Sequence, residues 1–338
     1  MNRIIIVIFV VLLFSGDGFS QKTTGNQFKM AFYNTENLYD TIDDPLKSDE
    51  EFLPNSKIAW NTERYNVKLN NIARALISID SVNLPAVIGF AEVENIDVLM
   101  DLINKTGLKR GKYEAILEEG SDQRGIDVAL IYRKEVLQYI GHWAFPSANS
   151  FKTRMVLYVK LADSKKDTFH IFVNHWKSRS GGATETEAQR LENAQVLKHF
   201  TDSVLSRNAG AKVIIMGDFN DEPNNKSLSE TLNAMKPVKN VIPTGLYNLM
   251  YDRFLAGEGT LFYKDWDLFD QFIVSGNLLI AKRGKKPAIE PPYSFIFNPD
   301  WLLFKNKEGV MIPNRTAGSK EYFGGFSDHL PVYITVNY

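Results

Sequence analysis

The chain has 338 residues, of which 44% are apolar, enough to bury one core of ordinary size or two small ones, so disorder does not dominate it. Its formal net charge of -1, from 39 basic and 40 acidic residues, provides no whole-surface positive field, and any contact with a polyanion must come from local basic patches. The absence of cysteine excludes disulfides, a lipidated cysteine and a thiolate zinc site, and leaves stability to packing.

Residues 1–20 have a basic start at Arg3, an apolar run over 4–14, and small residues at Gly18 and Ser20 before Gln21. That is the layout of a signal peptide, and the run is short of the roughly 20 residues that span a bilayer core. Export to the periplasm or the medium is therefore expected, with no stable membrane anchor. Beyond residue 20 no long linker, low-complexity tract or internal repeat interrupts the pattern, so 21–338 reads as one domain. Strands are expected over 28–33, 84–90, 128–132, 155–161, 169–173, 212–216, 269–274 and 332–336, all short and rich in β-branched or aromatic residues.

Apolar spacing predicts three helices with one buried stripe each: Leu69, Ile72, Ala73 and Leu76; Ile96, Leu99, Met100 and Ile103; and Leu191, Ala194, Leu197, Phe200 and Val204. Asn95 is placed to cap the second, with Glu94 at its first turn. Thr184 followed by Glu187 fits a capping box for the third, which makes Gly181-Gly182 a loop. Residues 281–292 carry Lys282, Arg283, Lys285, Lys286 and three prolines and read as an exposed excursion. The aromatic residues over 293–304 are assigned to packing.

Polar residues gather at the ends of the expected strands, where an α/β scaffold can converge them on one mouth. They are Asn34 in Tyr-Asn-Thr-Glu-Asn, Glu92 in Ala-Glu-Val-Glu-Asn, His175 in Asn-His-Trp-Lys-Ser-Arg, Asp218 and Asn220 in Gly-Asp-Phe-Asn, Asp270 in Phe-Asp-Gln-Phe, and Asp328-His329. Singly, each is an ordinary turn former or helix cap. His142, His170 and His199 lie outside these motifs and are read as surface or core residues.

In this order, the motifs resemble those of the endonuclease/exonuclease/phosphatase family, which includes deoxyribonuclease-like enzymes, abasic-site endonucleases, sphingomyelinases and inositol polyphosphate phosphatases. The resemblance covers residues 28–336 and rests most on Met-Gly-Asp-Phe-Asn at 216–220 and Ser-Asp-His-Leu-Pro-Val at 327–332. It implies a four-layer α/β sandwich, two packed mixed β-sheets flanked by helices, whereas strand and helix alternation alone equally suggests a doubly wound sheet.

Phosphodiester hydrolysis needs neutralised phosphoryl oxygens, an activated water and a stabilised leaving oxygen. Glu92 is the natural ligand for a hard cation, Mg²⁺ or Mn²⁺, and the resemblance adds Asn34 and Asp328 on the metal side. Asp218 can orient or deprotonate the water, and Asn220 can donate to the phosphoryl oxygens. The resemblance implies that His329 contacts the scissile phosphate with Asp270 holding its ring, and that His175 gives a proton to the leaving group. Arg154, Lys177 and Arg179 are candidates for flanking phosphates.

Two departures narrow the reading. Asn174-His175 stands where abasic-site endonucleases end a central strand with tyrosine. Phe269 and Gln271 flank Asp270 where inositol polyphosphate phosphatases carry a tryptophan-cysteine-aspartate-arginine signature. The histidine loop followed by Gly-Gly looks closest to bacterial extracellular nucleases. The expected activity is metal-dependent hydrolysis of DNA or RNA, the alternatives being a lipid or small phosphoester substrate, or a non-catalytic binding protein. No protein partner is inferred.

Overall fold

The structure, a computed structural model, describes residues 27–281 and 287–337. The leader-like segment 1–20 and the basic run 282–286 lie outside the described residues. Strands β1 (Gln27–Leu38), β2 (Val87–Val93), β3 (Tyr113–Leu117), β4 (Asp127–Arg133), β5 (Gln138–Pro146), β6 (Met155–Ala162), β7 (Thr168–His175) and β8 (Lys212–Asp218) come first in the chain. They are followed by β9 (Ala234–Met235), β10 (Leu246–Asn248), β11 (Leu261–Tyr263), β12 (Asp265–Asp267), β13 (Asp270–Ser275), β14 (Phe295–Ile296), β15 (Leu303–Lys305), β16 (Met311–Pro313) and β17 (Val332–Asn337). One sheet runs β14-β17-β1-β2-β4-β3 and the other β5-β6-β7-β8-β13-β10-β9, while β11-β12 and β15-β16 form small hairpins.

Alternation decides what each sheet buries. Met30, Phe32, Val128 and Leu130 of the first sheet meet Leu157, Val159, Ile171, Val173, Ile214, Met216 and Phe272 of the second in a shared core. The opposite face of the first sheet packs on helices α1 (Thr62–Ile79) and α2 (Ile96–Asn104). The opposite face of the second packs on α3 (Glu187–Arg207) through Phe172, Val213, Ile215, Ala194 and Leu197. Helix, sheet, sheet and helix are the four layers expected, and a doubly wound single sheet is excluded. No helix among the described residues is long and apolar enough to cross a membrane.

Helix starts follow local chemistry in two cases of three. The Asn61 and Asn95 side chains accept from Arg64 N and Val98 N and cap α1 and α2. The Thr184/Glu187 capping box does not form: Thr186 is the N-cap of α3, and its hydroxyl donates to the Gly182 carbonyl, because the Gly181-Gly182 turn curls the segment back on itself. Two stripes are also rotated from expectation. On α2 Val98 and Leu102 are buried while Ile96 and Met100 are 40% exposed, and on α3 Phe200 lies outside, stacked on Phe145.

Strand β5 has no sequence signature, because an exposed edge strand with Gly141 and Pro146 does not alternate cleanly. The excursion at 281–292 is not wholly exposed: Ala288 and Ile289 are buried, and Ala288 pairs with Asn337. Phe295 stacks on Tyr333, and Trp301 packs on Phe326, as expected for packing aromatics.

One close approach matters for the site. Strands β7 and β8 run parallel, and a Cβ added at Gly217 would lie 2.4 Å from the Asn174 carbonyl oxygen. Backbone cannot yield as a side-chain end can. Gly217→Ala should therefore cost about 1–3 kcal/mol in urea denaturation; a variant as stable as the parent would show that the strands are not closed here.

Candidate active site

The register of three strands builds the centre of the site. His175 on β7 pairs with Asp218 on β8, and Asp218 pairs with Asp270 on β13. Because side chains alternate, all three point the same way as Val173, Met216 and Phe272, into the space between the sheets. The first sheet brings Asn34 near the end of β1, Glu92 near the end of β2, and His329 just before β17. Left-handed backbone at Glu36, Asn37, Glu92 and Asn220 (φ between 50° and 63°) lies around this junction, the kind of local strain a surrounding structure must hold.

Asp218 is the hub. Its Oδ2 accepts from Asn34 Nδ2 at 2.9 Å and lies 3.7 Å from His329 Nε2 and 3.6 Å from His175 Nε2, while Oδ1 accepts from Asn220 N. His329 Nδ1 is 2.7 Å from Asp270 Oδ2, and Asp270 is fully buried. On the far side, Glu92 Oε1 lies 3.8 Å from His175 Nε2, and Glu92 Oε2 accepts from Asn37 N. Glu92, His175, Lys177, Asp218, Asp328 and His329 help to line one cleft of about 480 Å³.

Burial and neighbouring charges drive the two histidines apart. Burial alone would depress the His329 ring, but Asp270 and Asp218 outweigh it and hold the imidazolium well above the usual range. Burial, joined by Arg154 and Arg124, holds His175 well below that range, and its Nδ1 is buried without a partner. The two rings are thus biased in opposite directions, His329 towards the imidazolium and His175, which faces Glu92 and Asp218, towards the neutral ring. Burial also raises the Asp218 carboxyl, with Asp270 adding and His329 opposing, which makes it a stronger base.

The remaining expected residues divide. Asn34 spends its amide on Asp218 and its carbonyl on Glu36 N, so it steadies the base rather than offering an open ligand face. Asn220 lines the cleft with Nδ2 on the Trp176 carbonyl. Arg154 is buried, donating to the carbonyls of His175 and Trp176 and pairing with Asp122 at 2.6 Å. Arg179 donates to the Asn220 carbonyl and to Asn225 and Asp221 while lying over Phe269. Both guanidiniums are hydrogen-bonded within the protein, and Arg154 also lines the cleft. Lys177 faces the cleft with no ion pair among the described residues.

Two groups escape sequence reasoning. Arg124 lines the cleft from a loop whose sequence signals only a turn. Lys68, fully buried between two apolar neighbours on α1, donates to the Glu36 and Phe326 carbonyls and to the Thr316 hydroxyl. The Glu36 carboxylate in turn holds Thr316 N and Arg315, and Arg315 reaches Asp328 at 3.2 Å. Nothing local marks that network.

Atoms of Asp218, Asp270 and His329 lie within 4.8 Å of one another, as metal ligands would. The bond between His329 Nδ1 and Asp270 Oδ2 leaves a cation there His329 Nε2, Asp270 Oδ1 and Asp218 Oδ2 as ligand atoms, the two Asp218 and His329 atoms lying 3.7 Å apart. Glu92 and Asp328 line the same cleft and offer further oxygen donors of the kind a hard divalent ion takes, Glu92 with Oε2 on Asn37 N and Asp328 with one oxygen on Arg315 and 29% of its side-chain surface open.

The sequence profile of the Endonuclease/Exonuclease/phosphatase family matches residues 29–338. The chain belongs to that family. It is accordingly a metal-dependent phosphoester hydrolase. Solved structures of the same fold include D. rerio TDP2 humanized by 14 mutations, at 15% identity and TM-score 0.54, covering 93% of this chain and 100% of the other. Bacteroides thetaiotaomicron mannosyl-6-phosphatase matches at 14% identity and TM-score 0.55, covering 92% and 100%. The human Nocturnin catalytic domain matches at 16% and 0.54, covering 93% and 95%. No curated protein sequence matches the chain.

Replacing Asp218 by Asn or His329 by Gln should lower kcat by at least about 10²-fold, the lower end of what positioned acid-base groups contribute. His142, half-buried in a surface trio with Tyr139 and Glu118, is the control, and His142→Ala should leave kcat nearly unchanged. Equal losses at all three positions would mean that the substitutions report stability.

Proposed function

We propose that this chain is an exported Mg²⁺-dependent phosphodiesterase that cleaves DNA or RNA. The observation that carries the chemistry is the position of Asp218, between a cationic His329 and a wall of oxygen donors at Glu92 and Asp328. Glu92 and Asp328 would hold the ion, Mg²⁺ or Mn²⁺, which when bound supplies positive charge to the phosphoryl oxygens. Asp218 takes the proton of the attacking water while Asn34 and Asn220 fix its orientation. As the water oxygen bonds to phosphorus and the phosphorus–oxygen bond to the leaving group breaks, His329, held by Asp270, passes its Nε2 proton to the leaving oxygen. His175 adds a neutral hydrogen-bonding group at the side of Glu92. Lys177 and Arg124 support a nucleic-acid substrate, being the cleft cations placed to meet neighbouring phosphates. The leader-like segment 1–20 is the reason for proposing export.

A second reading, hydrolysis of a small phosphoester, is favoured by the engagement of Arg154 and Arg179 inside the protein, which halves the cations offered to flanking phosphates.

Chelation should abolish activity, and Mg²⁺ or Mn²⁺ should restore it; full turnover after exhaustive chelation would contradict the reading. Substrate class is tested with Lys177→Ala/Arg124→Ala, assayed on a long nucleic acid and on bis-p-nitrophenyl phosphate over a range of salt. For a nuclease, KM for the polymer should rise and its salt slope should flatten by up to about two phosphate contacts, with little change on the small diester. Equal losses on both substrates would favour the small phosphoester.

A further inference from the structure

Helix α3 covers the outer face of the second sheet only in part. Past its flank the outward aromatic side chains of β5, β6 and β7 form a row that runs from exposed Trp143 through partly buried Tyr158 to buried Phe172. Trp143, 52% exposed, stacks on Tyr158 at 5.2 Å, and Tyr158 stacks on Phe172 at 4.6 Å and lies 2.6 Å from His170 Nδ1. Gly141 backs the indole, where a Cβ would come within 3.2 Å of the ring. Between this row and Phe200 and Arg207 of α3 lies a groove of about 610 Å³.

The charge of the groove sets it apart. None of its lining residues is acidic, although acids slightly outnumber bases in the chain as a whole. Lys160 and Arg207 line it from opposite sides, and neither has an ion pair or side-chain hydrogen bond among the described residues. By contrast, the neighbouring Lys212 is satisfied by Asp167 at 2.6 Å. Two unneutralised cations beside a half-exposed indole suit a ligand that joins a planar ring to a phosphate, the combination of stacking and positive charge by which proteins hold nucleotides. The groove is not part of the catalytic cleft. Lys160 pairs with His170, five residues before His175, or about 17 Å along the strand.

We propose that this groove is a nucleotide-binding site separate from the catalytic cleft, with the base on Trp143 and the phosphate between Lys160 and Arg207. This does not depend on what the cleft hydrolyses.

The test is calorimetric titration of the full chain carrying Asp218→Asn, in EDTA to suppress binding at the cleft, with AMP and inorganic phosphate as probes. AMP should bind saturably. Adding Trp143→Ala should weaken AMP by about tenfold or more while leaving phosphate unchanged, and Lys160→Ala/Arg207→Ala should weaken both. Lys105→Ala, an exposed lysine at the end of α2 that lines neither the groove nor the cleft, should change neither. Because Trp143 and Arg207 are exposed, thermal melts should match the parent; if Trp143→Ala melts early, Trp143→Phe, which keeps a stacking ring, must retain AMP binding. No heat at millimolar AMP, or binding that the groove variants leave intact, would overturn the proposal. So would dimerisation in sedimentation that Trp143→Ala abolishes, together with no AMP binding, since the face would then belong to a second copy.

Discussion

The parallel pairing of β7 with β8 is the constraint on which the rest of the site depends. It is tight enough that Gly217 lies against the Asn174 carbonyl, and it sets His175 opposite Asp218. The antiparallel pairing with β13 then adds Asp270 to the same row. A shift of one residue in either pairing would turn these groups to the face covered by α3. The core between the sheets and the candidate site are thus continuous: Val173, Met216 and Phe272 fill the core, and the next inward residue on each strand is His175, Asp218 or Asp270.

Electrostatics then divide the cleft into two sides. Buried Asp270 has one strong partner, the His329 ring, and this keeps the ring cationic beside Asp218. Burial and the nearby Glu92 raise the Asp328 carboxyl, while His329, Arg315 and Lys68 oppose them, Arg315 being shared with Glu36. His175, held neutral between the two sides, separates them. Lys68 ties the end of β1 to the loop before β17, and so joins the segments that deliver Asn34 and His329.

The eight longer core strands and all three helices were legible because each repeats a short-range pattern, and the polar groups were legible because they close those strands. Edge strand β5 was not, since exposure on one side and Gly141 break the alternation. Arg154 and Arg179 looked like free cations because the residues that occupy them are far away in sequence: Asp122 lies 32 positions from Arg154 and Asn225 lies 46 from Arg179. Lys68 was hidden for the same reason, its partners Thr316 and Phe326 lying more than 240 positions away. Residue type and spacing show what can do chemistry; tertiary contacts decide which of those groups remain free to do it.

The central claim is that Glu92 and Asp328, and not the cluster of Asp218, Asp270 and His329, hold the ion. Anomalous diffraction from a crystal of this chain soaked in Mn²⁺ tests it directly. The account predicts a peak within about 2.3 Å of a Glu92 carboxylate oxygen, next to Asp328, with the contact between His329 and Asp270 intact. A peak among Asp218, Asp270 and His329 instead would contradict it.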